Sequence, residues 1–236
     1  RRDLAELLKA LRPGFVRFPG GCVVEGNTLA NRYQWKLSVG QPERRRQNWN
    51  RWAIHGAGEE GDFRSPFSHY GQTLGVGYYE YFLLCEYLGA KPRPVVGLGI
   101  ACQYMSKEAV AADDPELEVY IQEALDVVEF ANGGRDSVWG RVRAEMGHPE
   151  PFGLEYLGLG NEQWETKESE FYRRFEIFSA RVREKYPEIK IIGTGGPDVG
   201  TPRYEEAWAW TRKNLERDPA FVYASDEHFY VAPEWL

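Results

Sequence analysis

Residues 153–193 read GLEYLGLGNEQWETKESEFYRRFEIFSARVREKYPEIKIIG. A glycine-rich apolar run (153–160) gives way to a polar turn and then to a helical pattern over 168–186. Ile189-Lys190-Ile191-Ile192-Gly193 opens a second apolar run. Two short apolar runs joined through a helix of more than ten residues make a βαβ unit, with parallel strands because the helix carries the chain back to the starting end. The same beat extends outward. Downstream, Thr201-Pro202 is an N-cap followed by proline, opening a helix to about Arg217, and residues 221–230 are the next strand. Upstream, residues 94–100 (PVVGLGI) read as a buried parallel strand, and Asp114-Pro115 caps a helix running to about Phe130. Residues 77–88 are an amphipathic helix with Gly89 at its C′ position, and residues 15–18 (FVRF) are a short strand behind a leucine-bearing helix at 3–11. Helices alternating with parallel strands predict an α/β fold of the (β/α)8 TIM-barrel type. About five of the eight strands are present, so the barrel is expected to be incomplete, with both chain ends looking cut.

Residues 25–73 interrupt the alternation with a stretch rich in Arg, Asn, Trp and Gly, far longer than the usual connection of about 4–6 residues. Long insertions on a rigid scaffold tend to carry sites. The charge is −7, from 36 acidic and 29 basic residues with no basic stripe, which argues against a nucleic-acid partner. No apolar run approaches the roughly 20 residues of a membrane helix, so no membrane partner is expected. Cys22, Cys85 and Cys102 are an odd number in a long chain and suit a reducing, cytoplasmic compartment; Cys22 and Cys102 both follow strands and could approach one another, with free thiols as the default there. No CxxC or Cys/His spacing suggests a metal. Aromatics make up 14% of the chain, a share that suits packing or sugar faces.

In parallel α/β folds ligands bind at the C-terminal strand ends. Glu162 follows Leu157-Gly158-Leu159-Gly160-Asn161, placing a carboxylate at such an end behind small residues. Position alone leaves two readings open, a ligand-facing carboxylate or an exposed acid that starts a loop. In Asp226-Glu227-His228-Phe229-Tyr230, strand alternation puts Asp226, His228 and Tyr230 on one face and Glu227 with Phe229 on the other. If His228 lines the barrel mouth, Glu227 must face the helices or solvent. A satisfied structural histidine is the competing reading. Trp35, Trp49, Trp52 and Trp164 lie in loops where they either stack on sugars or pack the rim. Arg44-Arg45-Arg46 reads as a solvated loop with one Arg ion-paired.

The runs RFPGGCVVEG (17–26), YQWK (33–36), GYYEYFLLCEYLGAKP (77–92), ACQ (101–103), RAEMGHPEPF (143–152), GLGNEQW (158–164), DEHFY (226–230) and PEW (233–235) occur in this order over nearly the whole chain. Together they resemble family 51 of the glycoside hydrolases, the α-L-arabinofuranosidases.

The resemblance implies a retaining glycosidase that removes terminal α-L-arabinofuranosyl groups from plant polysaccharides or oligosaccharides by double displacement, without metal or organic cofactor. It makes Glu162 the general acid/base, a task that favours a raised carboxyl pKa. It makes Asn161 a ligand of the sugar 2-hydroxyl and Arg17 a cation beside the nucleophile. Cys22 falls where some members bind sugar, and His228 with Tyr230 matches a His-x-Tyr pair whose phenol supports the nucleophile. The nucleophile itself is expected beyond residue 236. Residues 1–236 then form one partial catalytic barrel without an accessory β-sandwich. Two alternatives stand beside this reading. One is another barrel glycosidase, an endo-β-glucanase or xylanase. The other is a non-catalytic fragment, with a homo-oligomer or a complementing chain as partner supplying the nucleophile.

Overall fold

The computed structural model describes residues 2–50, 71–104, 106–167 and 169–228. Five parallel strands form one sheet: β1 (Phe15–Phe18), β2 (Lys91–Val96), β3 (Tyr156–Leu159), β4 (Lys190–Pro197) and β5 (Ala224–His228). Their spatial order is β1-β2-β3-β4-β5, with Phe15 opposite Lys91, Val95 opposite Gly158, Tyr156 opposite Lys190 and Ile192 opposite Ala224. A doubly wound sheet reverses its strand order at a switch point, whereas this one never does. Sequential winding is that of a (β/α)8 barrel, here incomplete.

Each return passes through helix: α2 (Tyr78–Leu88), α3 (Leu117–Asn132) with α4 (Val138–Glu145), α5 (Phe171–Lys185) and α6 (Pro202–Arg217). The local signals behave as their chemistry requires. Gly89 adopts φ 70° and donates to the carbonyls of Cys85 and Glu86, closing α2 in a left-handed conformation that costs a glycine little. The Thr201 side chain accepts from the Tyr204 amide ahead of Pro202, and α6 ends at Arg217.

Three boundaries differ from the sequence reading. β2 starts at Lys91 and ends at Val96, because Lys91-Pro92-Arg93 pair with β1 and the chain turns at Gly99, φ 75°. β4 runs on to Pro197, so Gly195-Gly196 lie inside it rather than at its end, with a register shift before Pro197 meets His228. Asp114 does cap, accepting from the Glu116 amide at 2.8 Å, but the α-helix begins only at Leu117 after a turn.

Helix α1 (Arg2–Ala10) has no buried residue, and Leu4, Leu7 and Leu8 remain exposed, while Glu6 and Lys9 meet Tyr87 of α2. The core lies instead between the sheet and α2, α3 and α5, around residues such as Phe82, Val128, Leu157, Phe175 and Phe178. Tyr81 ties two strands to it. Its hydroxyl donates to Val16 O of β1 at 2.7 Å and accepts from the Arg93 amide of β2, while its ring stacks on Phe18.

The insertion over 25–50 is packed rather than loose. Trp35 is buried and donates to Glu123 O of α3 at 3.0 Å, so it packs the rim and is not a sugar platform. Arg45 forks onto Glu80 with two contacts of 2.8 Å, the single paired arginine expected of 44–46. Trp49 pairs across a two-residue antiparallel bridge with Gly71, whereas Trp52 lies outside the described residues. Among the described residues no helix is long and apolar enough to cross a membrane.

Arg174 of α5 holds the loops beneath the strand ends. Wholly buried, its guanidinium donates to Ser169 O at 2.6 Å, Leu98 O at 3.2 Å and Val110 O. Those carbonyls belong to the loops after β2 and β3, and a buried carbonyl left without a donor costs about 1–3 kcal/mol. Replacing Arg174 by Met is therefore expected to destabilise the fold by about 3 kcal/mol or more. Urea unfolding of the full-length protein measures it, and a loss within about 0.5 kcal/mol would mean the three carbonyls find other donors.

Candidate active site

The C-terminal strand ends converge on a cavity of about 780 Å³ lined by Cys22, Cys102, Gln103, Glu162, Trp164 and His228, among others. Each arrives by a local device. β1 ends at Phe18, and the chain turns through Pro19 and Gly20 (φ 73°) into a 3₁₀ turn at Gly21–Val23 that carries Cys22. A side chain at Gly20 would come within 3.1 Å of the Arg17 guanidinium, so the glycine leaves that arginine its space. At the end of β3, Gly160 has φ 81°, and a Cβ there would lie 2.7 Å from Gln163 Oε1. Glu162 itself sits in the left-handed region at φ 43°, a conformation costing roughly 1–2 kcal/mol for a residue with a Cβ. Gln163 next to it is wholly buried and donates to Ile100 O at 3.0 Å, which anchors the turn.

His228 is the hinge of the polar network. Its Nδ1 lies 2.8 Å from Glu162 Oε1 and its Nε2 lies 3.3 Å from Asp226 Oδ2. Asp226 in turn accepts from Arg93 Nη2 at 2.6 Å and lies 3.3 Å from Arg17 Nε. Arg17 Nη2 donates to Asn161 Oδ1 at 2.5 Å, and Asn161 Nδ2 donates to Glu25 Oε2 at 3.2 Å. The Cys22 thiol faces the second oxygen of Glu162 at 3.8 Å. Trp164 meets the His228 ring edge-on at 6.1 Å and lines the same cavity, the one tryptophan of the four in a position to face a ligand among the described residues.

Charges follow this geometry. The hydrogen bonds to Asp226 and Glu162 raise His228 to about 9, so at neutral pH it is an imidazolium donating from both nitrogens. The hydrogen bond from His228 pulls the Glu162 carboxyl below its ordinary range, against the opposing effect of burial. Burial likewise works to raise Asp226, but His228, Arg93 and Arg17 outweigh it and hold that carboxylate far down. Glu25, 2% exposed, goes the other way, because burial pushes its carboxyl well up.

The structure brings Glu162, Cys22 and His228 to the cavity wall. Arg17 and Asn161 lie just behind them, with Asn161 1% exposed and its amide engaged on both sides. Tyr230 lies outside the described residues. Glu227 faces the helical layer as alternation requires, accepting from Tyr204 at 3.1 Å and Trp208 at 3.0 Å on α6. One expectation is overturned: Glu162 is held low rather than raised, because an imidazolium is its nearest partner. Sequence reasoning missed Arg93 and Glu25 as parts of the site; Asp226 and Cys102 it placed at strand ends, beside His228 and near Cys22, without giving them a role. Alternation with His228 had already put Asp226 on the right face. Arg93 and Glu25 owe their place to burial and to contacts between distant segments.

The family model described as the alpha-L-arabinofuranosidase 1 domain matches residues 7–236. The chain is 40% identical to an extracellular exo-alpha-L-arabinofuranosidase of Streptomyces chartreusis over its whole length, which is 27% of that protein. It is 38% identical to alpha-L-arabinofuranosidase 2 of Arabidopsis thaliana over 81% of this chain and 25% of that one. The chain therefore spans about a quarter of the length of these relatives. An arabinose-bound family 51 α-L-arabinofuranosidase superposes with a TM-score of 0.68 at 31% identity, covering 86% of this chain and 29% of that one. The arabinose complex of the Thermotoga maritima α-L-arabinofuranosidase, 21% identical, shares the fold at a TM-score of 0.69 over 99% of this chain and 40% of that one.

Because its pKa in the folded chain lies above the unfolded value, His228 stabilises the fold fully below about pH 6.5, and that contribution is lost as pH rises toward about 9. NMR titration of the imidazole should give a midpoint near 9, and Glu162→Gln should lower it by removing one of its two carboxylate partners. A midpoint near 6.5 in the unsubstituted protein would show that the bridge does not form in solution.

Proposed function

The chain belongs to the α-L-arabinofuranosidase 1 domain family, family 51 of the glycoside hydrolases, and from that premise we propose that it forms part of a retaining, exo-acting arabinofuranosidase. Its substrate is an arabinose-containing polysaccharide or oligosaccharide, from which it releases terminal α-L-arabinofuranosyl groups. The observation that carries the proposal is Glu162 at the cavity wall, oriented by His228 and backed by Asn161 and Arg17.

In the first step Glu162 protonates the departing glycosidic oxygen while a carboxylate nucleophile attacks the anomeric carbon; in the second it takes a proton from the water that releases the sugar. The network supports the nucleophile's ionised form. Arg17, Arg93 and the protonated His228 make three cations against two carboxylates, Glu162 and Asp226, so one positive charge is left unbalanced within it. An ionised carboxylate placed there would balance the network and oppose the ionisation of Glu162, moving it toward the proton-donating form its role needs. The proposal places that nucleophile outside residues 1–236, with Tyr230 supporting it and Cys22, Asn161 and Arg17 shaping the sugar pocket. No metal or organic cofactor enters these steps. Residues 1–236 are read as one partial catalytic barrel. The odd count of three cysteines is the ground for the cytoplasmic location read from the sequence, and the Streptomyces chartreusis relative, described as extracellular, stands against it.

The full-length protein should hydrolyse an aryl α-L-arabinofuranoside and release the α-anomer first, as ¹H NMR would show. Glu162→Ala should lower turnover by about 10²–10⁴-fold on substrates with poor leaving groups, the usual contribution of general acid–base catalysis. Loss of less than tenfold would count against the role of Glu162, and turnover of soluble glucan alone would sink the substrate assignment.

A further inference from the structure

Cys22 lies in the 3₁₀ turn after β1, Glu25 follows two residues beyond that turn, and Cys102 follows the end of β2. Their ligating atoms, two sulfurs and a carboxylate oxygen, all lie within 4.8 Å of one another. Cys102 and Glu25 are 3% and 2% exposed, while Cys22 is half-buried, and all three line the cavity described above. Neighbouring backbone links hold the segments together: the Cys102 amide donates to Gly26 O at 2.9 Å, and the Gly26 amide donates to Cys22 O at 3.0 Å. The two loops are therefore fixed to each other beneath the donors.

A tetrahedral zinc ion, with Zn–S about 2.3 Å and Zn–O about 2.0 Å, keeps its ligand atoms roughly 3.5–3.8 Å apart. The donors, within 4.8 Å of one another, lie about 1 Å beyond that spacing. Two thiolates exclude magnesium and calcium, which take oxygen ligands, and favour a borderline-soft ion. Three protein donors leave a fourth position of a tetrahedral ion open, and all three donor residues line the cavity.

We propose that Cys22, Cys102 and Glu25 form a three-donor site for a thiophilic divalent cation of the zinc class, opening on the cavity beside Glu162. On ligation each thiol gives its proton to solvent and Glu25 binds as the carboxylate, so a divalent ion and its three ligands carry one negative charge. The protonated His228 lines the same cavity. Filling the site withdraws the Cys22 sulfur from Glu162 Oε2 and the Glu25 carboxylate from Asn161 Nδ2, contacts now at 3.8 and 3.2 Å. The site shares Cys22 and its cavity with the sugar pocket proposed above, and its test is independent of that reading because it follows thiolate-to-metal charge transfer and not turnover.

Titrating Cd²⁺ into the reduced full-length protein and following thiolate-to-metal charge transfer in the ultraviolet tests it. A band saturating at about one equivalent is expected, lost in Cys22→Ser and in Cys102→Ser but retained in Cys85→Ser, whose thiol is buried in α2 away from the cavity. Zn²⁺ added in excess should remove the band by displacement. No band in the unsubstituted protein, a measurement that needs no variant to fold, overturns the proposal. A band that survives in both Cys22→Ser and Cys102→Ser overturns it equally.

Discussion

The imidazolium of His228 holds the strand ends in register with one another. A charge taken out of water must be paired, and this ring pairs twice, with Glu162 after β3 and with Asp226 inside β5. Through Asp226 the network reaches Arg93 on β2 and Arg17 on β1, and through Arg17 it reaches Asn161 after β3. Four of the five strands are thus joined by contacts between charged or amide groups, in addition to their backbone ladders. Only β4 contributes no charge to it. That strand supplies Gly195 and Gly196 instead, and at Gly196 a Cβ would lie 2.4 Å from Arg203 O, so bareness there admits α6 close to the sheet.

The arrangement also separates two carboxyl groups that share one wall. Glu162 is held ionised by a cation at 2.8 Å, whereas burial pushes Glu25 toward its neutral form against the hydrogen bond from the Asn161 amide. A neutral Glu25 adds no charge to the wall, and an anionic Glu162 leaves the three cations one short of balance. The unusual backbone at Glu162 belongs with this. Left-handed at φ 43°, it aims the carboxylate at His228, and the buried Gln163 that follows keeps it there.

Much of this was legible in the chain, for particular reasons. The helix at Pro202–Arg217 and its Thr201 cap follow from a hydroxyl and a proline adjacent in sequence, and the end of α2 from a glycine where a left-handed residue is required. His228 and Glu227 fell to opposite faces because a strand alternates strictly. The strand ends were harder: β2 begins three residues before its apolar core because its partner β1 reaches that far, and pairing extent is decided by the neighbouring strand. The helix Val138–Glu145 is only eight residues long, with Gly140 inside it and Gly147 soon after, and it forms against α3 with Trp139 and Val142 on the core and a buried Arg143 that donates to Phe130 O at 2.8 Å and Gly133 O at 2.7 Å.

By itself the sequence determined the alternation of strand and helix, hence the parallel sheet, and placed Glu162 and His228 at strand ends, because those features depend on residues a few positions apart. Only the tertiary structure decided the protonation of the site and its membership. Glu162 and His228 are 66 residues apart, Arg93 and Asp226 are 133 apart, and the two cavity thiols come from separate loops. Distance and burial set their charges, and neither is a property of local pattern. A carboxylate expected to be raised is lowered for that reason: its pKa reports its neighbours in space, and the neighbour that matters is the imidazolium on another strand.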